Sequence, residues 1–351
     1  MRIIHVLHSH GYGGAENHAL TRMAAQAQAG HEVLYAGRSD SWLAQRCQAA
    51  GIQTHALRMA GLFDPASHLS LRRLVARWAP DIVHGHMVRG AFYAGWAASA
   101  HRGSTAICTA HATTARKHMG RCRHIIAVSN AVAANLLAHG QPRDKVSVVH
   151  NGIPDLPTVD RDEVRRQLGI PQDVFAVVNV GRFVRDKGQD LLVQALSRCP
   201  AHVHLYFVGE PDTDFGQHIK AQAQGQARIH FLGYRGDVPQ LMAAFDAYAS
   251  ASRREALGLS LVEAAAAHLP TVATAVGGVP EVVLDGLSGI LVPSEDVDAI
   301  ARGIEALVLN PSQAQAMGRA AREHYLRQFT LDSMFAGTQA VYRLATGSRA
   351  P

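Results

Sequence analysis

Short apolar runs recur along this chain, and nearly every one is followed by a stretch whose apolar residues fall at helical spacing. The first run is Arg2-Ile3-Ile4-His5-Val6-Leu7, after which Ala19, Leu20, Met23 and Ala24 share one helix face. Further runs stand at 30–37, 51–57, 80–86, 105–111, 125–130 and 145–149. Strand and helix in alternation predict parallel sheets covered on both faces, and 351 residues suffice for two such domains, each with its own core.

The turn after the first strand is His8-Ser9-His10-Gly11-Tyr12-Gly13-Gly14-Ala15-Glu16. It departs from the dinucleotide fingerprint, whose third glycine is replaced by Glu16, so a dehydrogenase is disfavoured. A helix over 69–78 carries Leu71, Leu74, Val75 and Trp78 on one face and Arg72, Arg73 and Arg77 on the other. Residues 80–86 read as a strand end emerging into a loop. The strand at 105–111 places His111 at its C-terminal end, where open α/β sheets bind ligands. Ser129 or Asn130 can cap the helix holding Val132, Leu136 and Leu137. Pro154, Pro157 and Pro171 flank a small helix at 160–168, and the domain boundary is set near 155.

In the second half a buried-type strand, 175–181, runs into a loop with Arg182 and Lys187. Two cations beside a strand end suit a diphosphate, the first as a fork of donors and the second as a point charge. Strands follow near 202–209, 229–233, 247–252, 271–275 and 289–293, and helices near 296–309, 311–327 and 331–345. Between them stands Glu255-Ala256-Leu257-Gly258-Leu259-Ser260-Leu261-Val262-Glu263, with Ala264, Ala265, Ala266 and Ala267 behind it. Glu263 falls on the first turns of a helix and Glu255 in the loop before it. The free amides at the helix start, from Gly258 to Ser260, favour negative charge, and the two carboxylates can accept from sugar hydroxyls.

Together with Gly277-Gly278-Val279-Pro280-Glu281 downstream and Gly181-Arg182 to Lys187-Gly188 upstream, this stretch resembles the family 4 retaining glycosyltransferases. The resemblance runs over nearly the whole chain and is most specific in the C-terminal half. It implies the GT-B fold: two Rossmann-like α/β domains facing each other across a cleft, with a C-terminal helix returning to the first. Residues 1–155, with the returning helix at about 331–345, would form the acceptor-side domain, and 156–330 the domain binding the nucleotide sugar. The implied reaction moves a sugar from a nucleotide diphosphate, a UDP-sugar by default, to an acceptor hydroxyl with retention of anomeric configuration.

The resemblance assigns Gly13 and Gly14 to the donor diphosphate, His111 to the donor sugar, and Tyr234 and Arg235 to the nucleotide base. Arg182, Lys187 and the amides of Gly258, Leu259 and Ser260 would stabilise the departing diphosphate. Glu263 would bind the ribose and Glu255 the sugar hydroxyls, with Glu281 also on the donor. No covalent nucleophile is assigned; front-face attack, with the donor phosphate taking the acceptor's proton, fits better. No cofactor and no metal is expected, because the two cations take the place of a divalent ion. The chain departs from the usual family pattern at Leu257, commonly phenylalanine, at His268, often glycine, and in the short segment between His111 and Ser129.

Two other classes fit the architecture. A sugar-nucleotide epimerase gives no reason for the paired glutamates, and a non-catalytic nucleotide-binding protein gives none for retaining Arg182, Lys187, Glu255 and Glu263 together. Charge points to the partner: residues 1–155 carry 16 Lys+Arg against 7 Asp+Glu, a net of +9, so the remainder carries −3 of the total +6. The segment from Arg116 to His124 is strongly basic. No nucleic-acid motif accompanies it, and an anionic acceptor or lipid surface is expected. With no run of 18 apolar residues, no secretory leader and four scattered cysteines, the expected location is the cytoplasm, with peripheral contact at the inner membrane face and a role in lipopolysaccharide or other envelope polysaccharide synthesis.

Overall fold

The computed structural model describes residues 1–9, 11–115 and 117–347. The chain divides into two compact units: residues 1–152 with the C-terminal segment from 331, and residues 153–330. The division falls slightly before the boundary set near 155. Ile153 belongs to the second unit because it bridges Thr330 and joins that unit's core beside Tyr325 and Phe329.

The first unit runs β1 (Arg2–Leu7), α1 (Gly14–Gln28), β2 (Glu32–Gly37), α2 (Trp42–Ala49), β3 (Gln53–Ala56), α3 (Pro65–Trp78) and β4 (Ile82–His86). It continues with α4 (Met87–Ala97), β5 (Thr105–Ala110), β6 (His124–Ala127), α5 (Asn130–Ala138) and β7 (Val146–Val148). All seven strands pair in parallel, in the order β3-β2-β1-β4-β5-β6-β7. Helix α3 starts a turn earlier than its apolar stripe, because Asp64 caps it and Pro65 stands at its first position. After β4 there is no loop: Met87, at φ 57°, turns the chain directly into α4, a correction to the loop expected there. Ser129 is the cap of α5, accepting from Val132 N.

The second unit runs α6 (Arg161–Leu168), β8 (Phe175–Val180), α7 (Gln189–Leu196), β9 (Val203–Val208), α8 (Asp214–Gln222), β10 (Ile229–Phe231) and α9 (Val238–Leu241). Then come β11 (Ala247–Ser250), α10 (Leu259–Ala266), β12 (Thr271–Thr274), α11 (Val279–Val282), β13 (Gly289–Val292), α12 (Val297–Leu309) and α13 (Pro311–Gln328). Its parallel sheet has the order β10-β9-β8-β11-β12-β13. The last helix, α14 (Leu331–Thr346), packs in the first unit. Its Met334, Val341, Tyr342 and Ala345 cover Ile3, Ile82, Ile107 and Ile126, one from each of four adjacent strands.

In each sheet the strand order reverses once, between β1 and β4 and between β8 and β11. Helices on either side of such a reversal leave a crevice at the C-terminal strand ends, which is where ligands bind in open α/β sheets.

Candidate functional site

In the second unit the reversal brings the loop after β8 beside the loop after β11. Lys187 Nζ forms a largely buried ion pair with the Glu255 carboxylate, joining the two loops. Arg182 is exposed at the end of β8, and its guanidinium makes no ion pair or hydrogen bond with a described residue. Behind them Arg253 clamps the loops in place. Its two terminal nitrogens reach both oxygens of Asp190 at 2.8 and 2.7 Å, it also pairs with Glu295, and its amide donates to Asp186 O. Arg254 adds a fork onto Asp186. Sequence reasoning gave Arg253 no role; two adjacent arginines before Glu255 were the only signal, and their partners lie 42 to 68 residues away.

Gly258 starts α10 with φ 93°, in the left-handed region that other residues rarely enter, and so lets the chain turn from Glu255 into the helix. The first amides of α10, at Leu259 and Ser260, have no carbonyl partner within the helix and form an anion-favouring end. The Ser260 hydroxyl is fixed from below by Tyr248 at 2.9 Å. Glu263 lies one turn further on, and its carboxyl makes no hydrogen bond or ion pair with a described residue. Burial pushes it up to about 7, so at neutral pH it is poised between acid and carboxylate. Gly278 brings the next loop down onto this one: a Cβ there would stand 2.2 Å from Ala256 O. That contact places Glu281, on the short α11, close to the Glu255 loop, to whose carbonyl Gly278 N donates.

Tyr234 and Arg235 lie in the loop after β10. The Tyr234 ring is 57% exposed, while Arg235 is held in a two-point pair by Asp237 at 2.8 and 2.7 Å. Leu257 points into the core. His268 sits at φ 58°, so a glycine would be at ease where this chain has a side chain. Asp-x-Asp spacings, a pattern whose carboxylates can ligate a divalent ion, occur at Asp160 and Asp162, Asp212 and Asp214, and Asp296 and Asp298. Two of them are spent at helix starts: Asp160 caps α6 and Asp296 caps α12, with Asp298 paired to Arg198. In the third, Thr213 between the aspartates is the cap of α8.

In the first unit Gly13 precedes α1 in extended backbone, φ −168°, and Gly14 opens the helix, so a left-handed turn is not what requires these glycines. His111 is half-buried at the end of β5 and lines a cavity of about 90 Å³ with Met87, Val88 and Thr114. Behind it lies a polar cluster that sequence reasoning missed. His5, His84, His86 and Thr109 share one sheet face and are fully buried under α1 and α14, which add His18, Arg22, Gln26 and Tyr342. Burial holds His5 and His111 down to about 3, and His18, His84 and His86 well below the usual range, so these rings are neutral at pH 7.

Ring nitrogens of His5, His84 and His86 come within 4.8 Å of one another, close enough to suggest a metal. The contacts argue otherwise. His5 Nδ1 and His86 Nε2 are 2.9 Å apart, hydrogen-bonding distance, whereas two ligands at about 2.05 Å from a tetrahedral zinc stand about 3.3 Å apart. Both nitrogens of His84 are engaged by Tyr342 and Thr109, and the Arg22 guanidinium is beside them.

The basic segment after His111 is only partly solvated. Met119 and Cys122 are buried, and Arg121 stacks over the Trp96 ring at 4.0 Å. His10 in the first turn and Arg116 in this segment lie outside the described residues. Cys47, Cys108, Cys122 and Cys199 are free and buried. No helix among the described residues is long and apolar enough to cross a membrane.

Residues 12–155 match the family model "Glycosyltransferase Family 4" and residues 160–324 the model "Glycosyl transferases group 1". A D-inositol 3-phosphate glycosyltransferase of Mycobacterium marinum is 36% identical over 216 residues, 58% of this chain and 46% of that one. The lipopolysaccharide core biosynthesis glycosyltransferase LpsE of Rhizobium meliloti is 30% identical over 171 residues, 48% of this chain and 50% of its own. The chain spans about half the length of the curated relatives it matches. Among solved structures, Anabaena HepE in complex with UDP-glucose superposes with a TM-score of 0.87 at 22% identity, covering 97% of this chain and 99% of HepE. A glycosyltransferase from Rickettsia africae reaches 0.90 at 21% identity, with 99% of each chain covered. At these identities the structures speak for the fold.

Proposed function

The chain belongs to the family 4 glycosyltransferases and has the two Rossmann-like domains of the GT-B fold, and we propose from this premise that it transfers a sugar from a nucleotide diphosphate, with a UDP-sugar first in order, to a hydroxyl acceptor with retention. The observation that carries this reading is the arrangement around the Lys187–Glu255 pair. A cation, an unpaired Arg182 and the start of α10 converge on one strand-end crevice of the second unit.

A departing diphosphate gathers negative charge on its oxygens, and fixed donors stabilise it without having to reorganise. Arg182 supplies the fork and the amides of Leu259 and Ser260 the helix-end dipole. Lys187 turns from Glu255 to phosphate, which frees Glu255 to accept from sugar hydroxyls. Glu263 accepts from the ribose, Glu281 from the sugar, and the loop at Tyr234 and Arg235 takes the base. By the family resemblance Gly13 and Gly14 are assigned to the donor diphosphate and His111 to the donor sugar. These groups make the chemistry independent of a divalent metal in this reading. The acceptor is a glycan or lipid-linked glycan of the cell envelope, a class supported by LpsE among the relatives. The net basic first unit, with Phe63 77% exposed, suits peripheral contact with an anionic membrane face from the cytoplasmic side.

The test is incubation with UDP-, GDP- and ADP-sugars and candidate acceptors in the presence of a chelator. Transfer from a UDP-sugar that survives chelation, with the anomeric configuration kept in the product, is the expected result. An epimerised free sugar, or a product of inverted configuration, would overturn the reading.

A further inference from the structure

The buried polar cluster of the first unit ends at His111. Its bonding can be read from the one end whose chemistry is not adjustable. A guanidinium has donors and no acceptor, so Arg22 Nη1 donates to Thr109 Oγ1 across 3.1 Å. Among the described residues the buried Thr109 hydroxyl has one other partner, His84 Nε2 at 2.7 Å. Its proton therefore goes to His84. The reverse assignment leaves a buried hydroxyl hydrogen without an acceptor, at a cost of about 1–3 kcal/mol. It also turns an N–H toward the guanidinium 3.5 Å away.

With one proton per ring, His84 then carries its own on Nδ1 and donates to the Tyr342 hydroxyl, 2.6 Å away. The structure sets Gln26 Nε2 toward the Tyr342 hydroxyl at 3.2 Å and Gln26 Oε1 toward His5 Nε2 at 2.7 Å. A Tyr342 hydroxyl that already accepts from His84 needs an acceptor for its own proton, so the relay takes the carboxamide turned by half a turn, with its oxygen on Tyr342 and its NH₂ on His5 Nε2. The two ends of an amide exchange by a half-turn, and the surrounding bonds decide between them. His5 is thereby protonated on Nδ1 and donates to His86 Nε2 at 2.9 Å, and His86 Nδ1 donates to His111 Nε2 at 3.1 Å. The Nε2 lone pair of His111 is filled, so its proton stays on Nδ1.

We infer that Arg22 sets the direction of a one-way hydrogen-bond relay that locks His111 in the Nδ1–H form, so that His111 meets its ligand as a hydrogen-bond donor and cannot act as a general base. Thr109, His84, Tyr342, Gln26, His5 and His86 are positioning residues in this scheme. That the ligand is the sugar nucleotide rests on the function proposed above; the tautomer does not. A neutral N–H at this place suits an oxygen of the donor's sugar or phosphate, and the proton lost by the acceptor hydroxyl leaves by another route.

The experiment uses the full chain with nitrogen-15 in its histidine rings, read by two-bond proton–nitrogen correlation at about pH 7.5. The His111 signals are identified by their loss in His111→Asn. His5, His86 and His111 are expected to show the Nδ1–H pattern. In Gln26→Leu the relay is cut between Tyr342 and His5, and His111 is expected to divide between both tautomers. An Nε2–H or doubly protonated His111 in the unaltered protein overturns the inference, as does a folded Gln26→Leu protein whose His111 signals do not move. No substrate is needed, so absence of sugar transfer would count against the proposed function while leaving this result standing.

Discussion

Lys187 and Glu255 form an ion pair between two loops 68 residues apart in sequence, each loop rising from one of the two strands that flank the sheet reversal in the second unit. In the free protein each satisfies the other, and in the proposed mechanism each is released to the donor, the lysine to phosphate and the glutamate to sugar. Lys187→Ala is expected to lower kcat/KM by 10²–10³, about 2.7–4 kcal/mol, the range for losing one such donor. Lys187→Ala also leaves the largely buried Glu255 carboxylate unpaired, so a fall in Tm is expected alongside the loss of activity. Near-normal turnover measured with a UDP-sugar would remove Lys187 from the mechanism.

Arg253 bridges Asp190, Glu295 and the backbone of the β8 loop, so it holds the pair in register without touching a ligand itself. Arg253→Ala leaves Asp190 half-buried and unpaired, and a loss of about 2–3 kcal/mol in denaturant unfolding is expected, together with a fall in kcat. Arg253→Lys is expected to recover little, since an ammonium cannot make the two-point contacts of the fork. Full recovery by lysine would show that charge alone suffices.

The strands and most helices were legible in the sequence because their apolar periodicity is local. The position of His111 and of the Arg182 loop followed from strand ends. What was not legible depends on long-range packing. The turn from β4 into α4 uses a left-handed Met87 that no propensity predicts. Ile82, His84 and His86 alternate visibly, yet that the two histidines are buried is decided by Tyr342, 258 residues from His84. Likewise Arg253 looked like half of a solvated pair until Asp190 and Glu295 were brought to it.

Glu263 sits near 7 because burial disfavours its charged form. The ribose hydroxyls donate to a carboxylate, so affinity for the nucleotide is expected to rise with pH through about 7. In the free protein the sign is opposite. Between 4.5 and 7 the folded state holds a proton that the unfolded state has released, so this group's contribution to stability falls as pH rises through that window. Glu263→Gln is expected to raise Tm more at pH 8 than at pH 5 while weakening nucleotide binding. A Tm difference that does not vary with pH would contradict the assignment.

Four buried imidazoles, His5, His18, His84 and His86, and the half-buried His111 are held neutral beside the Arg22 cation. As pH falls below the unfolded value of 6.5, the unfolded chain takes up protons that the folded one refuses. Stability is therefore lost with acidification, by up to about 1.4 kcal/mol per pH unit for each ring. Urea midpoints are expected to drop steeply from pH 7 to pH 5, outweighing the opposing contribution of Glu263. A midpoint that is flat across this range would show that the rings are charged or exposed.

The most direct measurement is calorimetric titration of UDP into the protein in excess EDTA, repeated with Arg182→Ala and Lys187→Ala. Binding that persists in EDTA in the unaltered protein and weakens at least tenfold in each variant is the predicted result. No binding of UDP, GDP or ADP, or binding that requires a divalent cation, would contradict a diphosphate held by these two side chains.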